Sequence, residues 1–235
     1  MKTVAIIPAR GGSKRIPRKN IRFFSGKPII GYSIEAAKQS GLFNRVIVTT
    51  DDEEIASVAE SFGAEIPFLR PAELADDYTG TNDVVKHALL WLKEHDFAFE
   101  YACCIYATAP FLQVKYLQLG LEYLVKTNKS FAFSVTSYTF PIQRALRINK
   151  DGLVEPLYPG NTFKRSQDLE ETYHDAGQFY WGKAKAFMND IVTYSTESVP
   201  IILPHFLVQD IDTEDDWRRA ELMFKALKNN NITQI

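Results

Sequence analysis

Thr3-Val-Ala-Ile-Ile-Pro8, running on into Arg10-Gly-Gly-Ser-Lys-Arg-Ile-Pro-Arg-Lys-Asn-Ile-Arg22, decides how this chain is read. The first six residues are a short apolar, β-branched run of the kind that makes a buried strand. The loop that follows holds two glycines and a crowd of cations. Eight cations precede the first acidic residue, Glu35, and seven of them lie between Arg10 and Lys27. Gly11 and Gly12 let backbone N–H groups approach an oxyanion while the side chains neutralise its charge. Arg10 and Lys14 can set a guanidinium and an ammonium on one triphosphate, with Ser13 adding a donor. The loop fits neither Gly-x-x-x-x-Gly-Lys-Ser/Thr nor Gly-x-Gly-x-x-Gly, so it is neither a Walker A nor a dinucleotide loop. No counter-acid stands beside it in sequence, which favours an anion site over a solvated basic surface. Arg15, Arg18 and Arg22 individually read as surface residues.

Strand-like and helix-like runs alternate beyond the loop. Ile30, Ile34 and Ala37 form a helical stripe ahead of Gly41, and Arg45-Val-Ile-Val-Thr49 reads as a second strand. Asp51 and Glu54 have capping-box spacing before a helix whose apolar face is Ile55, Val58, Ala59 and Phe62, with Gly63 at its stop. A helix bearing Val84, Val85, Ala88, Leu89 and Leu92 precedes a strand over 101–106, and a helix over 113–126 precedes a strand over 130–136. This βαβ alternation predicts an α/β fold: a mostly parallel central sheet with helices on both faces. Ligands of such sheets bind beyond the carboxyl ends of the strands, where the basic loop sits. Between about 138 and 175 the alternation breaks, and Pro141, Pro156, Pro159, Gly152 and Gly160 predict hairpins and loops inserted into one domain spanning 1–235. Gly177-Gln-Phe-Tyr-Trp181 returns to a strand. A final strand leads to Val208-Gln-Asp-Ile-Asp212, and a last helix carries Trp217, Ala220, Phe224 and Leu227 on one face.

Composition narrows the function classes. At 235 residues, 46% hydrophobic and 24% charged, the chain can bury a full core. A net charge of −2 argues against general nucleic-acid binding, because the basic loop is local and the remainder acidic. Cys103 and Cys104 are neighbours in an apolar run, so they point to opposite faces of a strand and are expected to pack rather than bridge or bind metal. No run is long or apolar enough to span a bilayer, and Met1-Lys2 leads straight into a strand without a signal-peptide pattern; a cytoplasmic protein with no membrane partner is expected.

Asp210 and Asp212 are separated by one residue at the end of the final strand, so their carboxylates are expected to point the same way. Such a pair repels unless a cation lies between, and Mg²⁺ suits it when phosphate oxygens complete the shell. Thr213 and Asp216 form a capping box, with Glu214 and Asp215 at the positive end of the last helix. Thr81 and Asp83 read equally as helix caps or as ligand contacts. No histidine has a Ser or Cys partner at a telling spacing, so a Ser-His-Asp hydrolase finds no support.

With these residues in hand, the chain resembles the cytidylyltransferases that activate nine-carbon α-keto acids, among them CMP-sialic acid synthetases and pseudaminic acid cytidylyltransferases. The matching pieces are Ile7-Pro-Ala-Arg-Gly-Gly-Ser-Lys14, Lys19-Asn-Ile21, Gly26-Lys-Pro28, Thr49-Thr-Asp51, Arg70-Pro-Ala-Glu-Leu-Ala75, Arg165-Ser-Gln-Asp-Leu169 and Asp210-Ile-Asp-Thr213, in order over nearly the whole length. The resemblance implies a GT-A-like, Rossmann-like fold that binds CTP. Arg10, Ser13 and Lys14 would hold the triphosphate with Lys19 and Asn20 beside it; Arg70 and Thr81 would meet the cytosine and ribose region. Asp210 and Asp212 match the family's Mg²⁺ carboxylates, and the 138–175 insertion matches a region that mediates homodimer contacts and closes the sugar pocket. Tyr106-Ala-Thr-Ala-Pro110 and Asp175-Ala-Gly-Gln-Phe-Tyr-Trp181 resemble the pseudaminic acid branch rather than the sialic acid one.

The implied reaction is attack by the sugar's anomeric 2-hydroxyl on the α-phosphorus of CTP, giving CMP-sugar and pyrophosphate. Positioning and charge stabilisation dominate such transfers. Arg10 and Lys14 would stabilise the leaving pyrophosphate, and Asp212 would take the hydroxyl proton. Arg165 would pair with the sugar carboxylate, while Tyr106, Thr108, Gln178 and Tyr180 would read its hydroxyl and acylamino groups. A sialic acid cytidylyltransferase, a GT-A glycosyltransferase with an Asp-x-Asp metal site and a non-catalytic CTP-binding module are the rival readings.

Overall fold

The computed structural model describes residues 1–230. In chain order the elements are β1 (Thr3–Pro8), β2 (Phe23–Phe24), β3 (Lys27–Pro28), α1 (Ile29–Gln39), β4 (Arg45–Thr49), α2 (Glu53–Ser61), α3 (Thr81–Glu94), β5 (Tyr101–Ile105), α4 (Val114–Thr127) and β6 (Phe131–Ser137). They continue with β7 (Leu146–Ile148), β8 (Val154–Pro156), β9 (Tyr173–Lys183), α5 (Ala184–Met188), β10 (Ser198–Ile202) and α6 (Glu214–Asn229). The central sheet has six strands in the order β10-β6-β9-β5-β1-β4. β4, β1 and β5 run parallel to one another, as do β10 and β6, and β9 is antiparallel to both its neighbours. The chain reaches β9 from β6 through the hairpin β7–β8 rather than a helical crossover. A strand that comes back without a crossover enters antiparallel.

Strand periodicity divides the core in two. Ala5, Ile7 and Cys103 pack with residues of α1, α2 and α4 on one face, while Val4, Ile6 and Cys104 pack with α3 and α5 on the other. The adjacent cysteines are therefore buried on opposite sides, both free, with burial pushing each thiol's pKa up. A third cluster builds around α6: Trp217, Ala220, Phe224 and Leu227 meet Phe24, Phe111, Ile16 and Ile211. Phe24 stands edge-on to Tyr32, Phe111, Trp217 and Phe224, an arrangement that adds to the burial energy. This cluster positions the site, because Ile16 anchors the basic loop and Ile211 anchors the segment between the two late aspartates. Both are essentially inaccessible, so the charged residues flanking them are turned outward.

Three local expectations are corrected. Asp52, not Asp51, caps α2, its Oδ1 accepting from Ile55 N at 2.9 Å; Asp51 instead accepts from Gly11 N at 3.1 Å. α3 begins at a Gly80 N-cap, so neither Thr81 nor Asp83 caps it. The last strand stops at Ile202, Pro204 leads into a 3₁₀ turn at His205–Leu207, and 208–212 lies outside any strand. The capping box of α6 is present as expected, with Thr213 and Asp216 each bonded to the other's backbone.

Candidate active site

The basic loop leaves β1 and folds back over the carboxyl edge of the sheet. Its glycine turn is set by close approach: a Cβ on Gly11 would lie 2.6 Å from an Asp52 carboxylate oxygen. Asn20, buried, donates to the Arg10 carbonyl at 3.0 Å and holds the two ends of the loop together. Arg10, Ser13, Lys14, Arg15, Lys19 and Asn20 line one side of a cavity of about 560 Å³, a volume suited to a nucleotide. Arg70, Thr81, Tyr106 and Thr108 line the other side.

The loop's cations meet acids supplied from far along the chain, contrary to the expectation that they lack counter-acids. Arg10 Nη1 lies 2.8 Å from Asp77 Oδ1 and donates to the Asp76 carbonyl at 2.7 Å, and Lys14 bonds the same Asp77 carboxylate. These cations pull the Asp77 carboxyl below its ordinary value, the Lys14 hydrogen bond most. Arg15 lies 2.8 Å from Asp212, and Lys19 Nζ reaches Asp212 at 3.2 Å and the Ile211 carbonyl at 2.8 Å. Arg18 pairs with Asp52 and Glu54, and Arg22 pairs with Glu214 while lying over the Trp217 ring. A count of neighbours in sequence cannot see pairs made across tertiary contacts. Arg15 in particular is a cavity residue joined to Asp212, not a bystander.

Arg70 is the exception to this pairing. It is 5% exposed; among the described residues its Nε has no partner, and its one carboxylate neighbour, Asp51, is at 3.4 Å, the limit of a hydrogen bond. Burial lowers its guanidinium from the ordinary 12.5, with Asp51 opposing the shift. A buried guanidinium held this loosely at a cavity wall is a donor awaiting an acceptor.

The late aspartates border this arrangement without lining the cavity. Arg15 and Lys19 line it and bond to Asp212, so the amino-terminal loop and the carboxyl-terminal acids form one continuous charged surface. Asp210 makes no ion pair among the described residues. Burial, and next the charge of Asp212, push its carboxyl up. A carboxylate raised in this way beside a second one fits a divalent cation whose remaining ligands are phosphate or water oxygens. No group of three or more His, Cys, Asp or Glu side chains assembles a metal site among the described residues.

A second cavity, about 570 Å³, opens beside the first and shares Thr81 and Tyr106 with it. Tyr180, Tyr194, Phe187, Val192 and Thr193 line this one. Of the residues expected to read a sugar, Tyr106, Thr108 and Tyr180 therefore stand at cavities. Gln178 does not: it is buried, it lines neither cavity, and its amide is spent on the Leu207 carbonyl. Arg165 also lines neither; it is exposed on the inserted segment and paired with Asp168 at 2.7 and 2.9 Å. Asp76, Asp77 and Tyr194 escaped the sequence reading, which took Asp51 for a helix cap and quoted Asp175 only as part of a motif. Asp76 and Asp77 stand in an acidic turn just before Thr81, a pattern that could have flagged them as partners for the early cations.

A sequence profile described as cytidylyltransferase matches residues 4–208. Pseudaminic acid cytidylyltransferases of two strains of Campylobacter jejuni subsp. jejuni, serotypes O:2 and O:23/36, are 44% and 43% identical to this chain, over 96% of it and 97% of each of them. The CMP-N,N'-diacetyllegionaminic acid synthase of Legionella pneumophila subsp. pneumophila is 33% identical over 96% of this chain and 97% of its own. Among solved structures, a CMP:2-keto-3-deoxy-manno-octonic acid synthetase complexed with CTP superposes with a TM-score of 0.70 at 16% identity, covering 96% of this chain and 99% of that one. At that identity the match speaks for the fold.

Proposed function

This chain belongs to the cytidylyltransferase family, and from that premise we propose that it joins CTP to a nonulosonic acid, pseudaminic acid, releasing pyrophosphate. One observation carries the reading: the cation-rich cavity holds a buried, underbonded Arg70 and is tied through Arg15 and Lys19 to Asp212. The triphosphate takes the wall of Arg10, Ser13 and Lys14, where Asp77 now serves as the anion. Surface ion pairs of this kind are weak, so a polyanion displaces them. Arg70 and Thr81 take the cytidine end. The neighbouring cavity takes the sugar, since the two volumes meet at Thr81 and Tyr106.

Chemistry is then positioning and charge. The sugar's anomeric oxygen attacks the α-phosphorus, the bond from that phosphorus to the bridging oxygen of pyrophosphate breaks, and a carboxylate oxygen of Asp212 takes the hydroxyl proton. Arg10 and Lys14 stabilise the charge that grows on the leaving pyrophosphate. Asp210 and Asp212 would hold Mg²⁺, which when bound neutralises phosphate charge. Lys19 and Arg15 keep Asp212 in place from the loop side.

A second copy of the chain is the proposed cover for the segment between β6 and β9. Phe163 is 98% exposed there and Ile148 75%, with Leu146, Leu153 and Val154 beside them, an apolar lobe unusual for a free surface. Arg165 rides on that lobe, and its proposed contact with a sugar carboxylate depends on the assembly. Light scattering should report a dimer, and a monomer would remove this part.

No helix among the described residues is long and apolar enough to cross a membrane. Purified protein given CTP, Mg²⁺ and pseudaminic acid should release pyrophosphate. Product with legionaminic or sialic acid instead would move the specificity, and none with any nonulosonic acid would overturn the reading.

A further inference from the structure

The second cavity has a polarity that its lining alone does not reveal. Asp175 does not line it, yet the Tyr180 and Tyr194 hydroxyls, which do, both donate to Asp175 Oδ2, Tyr194 at 2.7 Å. Oδ1 of the same carboxylate accepts from Gly177 N at 2.9 Å, across a turn in which Gly177 has φ +61°. The carboxylate is thus fixed on one edge by backbone and on the other by two phenols. Aromatic packing fixes the rings as well: Tyr180 stacks on Phe133 with centroids 5.8 Å apart, and Tyr194 meets Phe133 edge-on at 5.5 Å.

A phenol has one proton to donate and lone pairs with which to accept. Both protons here are directed at Asp175, so these two hydroxyls offer only lone pairs to whatever lies against them. Burial, together with the neighbouring Tyr106 and the Asp175 charge, raises the Tyr180 phenol well above its ordinary value and keeps its proton in place. The same wall carries apolar Phe187, Ile191 and Val192, and Asn82, Asp83, Asp190 and Thr193 are further polar residues of the cavity. An N-acyl amide offers the matching pair of features, an N–H to donate and a methyl to bury. A carbonyl or ether oxygen in the same place would face lone pairs.

We infer that Asp175 is a positioning residue for sugar specificity: by holding the Tyr180 and Tyr194 hydroxyls as donors to itself, it makes the second cavity select an acylamido N–H. The inference rests on the proposed use of this cavity by the sugar. Replacing Asp175 with asparagine tests it, because one amide oxygen cannot accept from Gly177 and from both phenols at once. With the amide nitrogen toward the tyrosines, their protons turn to the cavity and its polarity inverts.

The experiment compares kcat/KM for a diacylamido nonulosonic acid with that for its analogue in which an O-acyl ester replaces one N-acyl amide. Wild type should prefer the amide by at least about tenfold for the analogue substituted at the recognised position. Asp175→Asn should lose most of that preference through the sugar KM, while its KM for CTP stays the same. Tyr194→Phe deletes one acceptor at an exposed rim position and should lose part of the preference; it serves if Asp175→Asn fails to fold. An amide preference unchanged in a folded Asp175→Asn or, failing that, in Tyr194→Phe overturns the inference alone. So does a wild type indifferent to both analogues. A wild type that forms no CMP product from any nonulosonic acid overturns the functional reading, and the inference with it.

Discussion

Replacing Arg70 with methionine should make the fold more stable and the enzyme worse. Arg70 is almost wholly enclosed, and among the described residues its charge is met only by Asp51 at 3.4 Å while Nε has no partner. Desolvation of such a charge is poorly repaid in the free protein; apolar replacement of a whole buried ion pair commonly stabilises by about 1–4 kcal/mol. Here only the enclosed partner has to be replaced, because Asp51 is open to solvent and is not left as a buried charge. Methionine keeps much of the stem's packing, and Asp51 retains its bond from Gly11 N and its contact with water. Taking the lower part of that range, about 1–2 kcal/mol, the melting temperature of a chain this size should rise by about 2–8 °C. The nucleotide tells the opposite story. Charge-assisted hydrogen bonds worth about 1.5–3 kcal/mol are lost from the complex, so CTP should bind about 10- to 150-fold more weakly. Thermal melts with and without CTP, alongside titration calorimetry, read both quantities on one sample. Destabilisation of the free protein together with undiminished CTP affinity would refute the reasoning, since Arg70 would then be a structural ion and not a ligand-binding one.

Three other perturbations follow from the same geometry. Asp77→Asn removes the carboxylate that holds Arg10 and Lys14, and CTP should then bind about two- to fivefold tighter at low salt, converging on wild type as salt rises; calorimetry at two ionic strengths reads this. Asp52 has its pKa drawn from 3.8 to about 2, chiefly by the Arg18 hydrogen bond, so it contributes stability that is present in full above pH 3.8 and lost as pH falls through about 2. Asp52→Asn, which can still cap α2, should cost roughly 2 kcal/mol in urea melts at pH 7 and almost nothing at pH 2. Gly182→Ala places a Cβ 2.6 Å from both Phe131 and Phe187 near the end of β9, an interior strand of the sheet, and should destabilise by about 1–3 kcal/mol, visible as a lower urea midpoint.

Much of the fold was legible because its signals are local. β1, β4 and α1 announce themselves by period and by β-branched content, and the alternating faces of Cys103 and Cys104 follow from strand geometry alone. The capping box of α6 was visible for the same reason. Pairings across the chain were not. Asp51 and Asp52 have the same chemistry and adjacent positions; which one caps α2 is settled by Gly11, forty residues earlier, whose N–H recruits Asp51. The antiparallel entry of β9 depends on how the inserted hairpin returns the chain. Pro204 ended the last strand earlier than the sequence suggested.

The site divides along the same line. Arg10, Lys14 and the aspartates 210 and 212 stand out as residue types at telling spacings. That Arg15 and Lys19 connect the two groups depends on Ile16 and Ile211 sharing one core cluster, which no spacing encodes. Gln178 looked like a sugar reader because of the motif around it, but its amide serves the Leu207 carbonyl. Asp175 was passed over because it lies behind the wall and acts through Tyr180 and Tyr194.

The most direct test of a single nucleotide gripped from both ends of the chain is the fate of the phosphates. CTP labelled at the α-phosphate is incubated with enzyme, Mg²⁺ and pseudaminic acid, and the products are separated. Label should appear in the CMP-sugar, with one unlabelled pyrophosphate released for each molecule formed. Label in free CMP or CDP, or inorganic phosphate in place of pyrophosphate, would contradict attack at the α-phosphorus in this cavity.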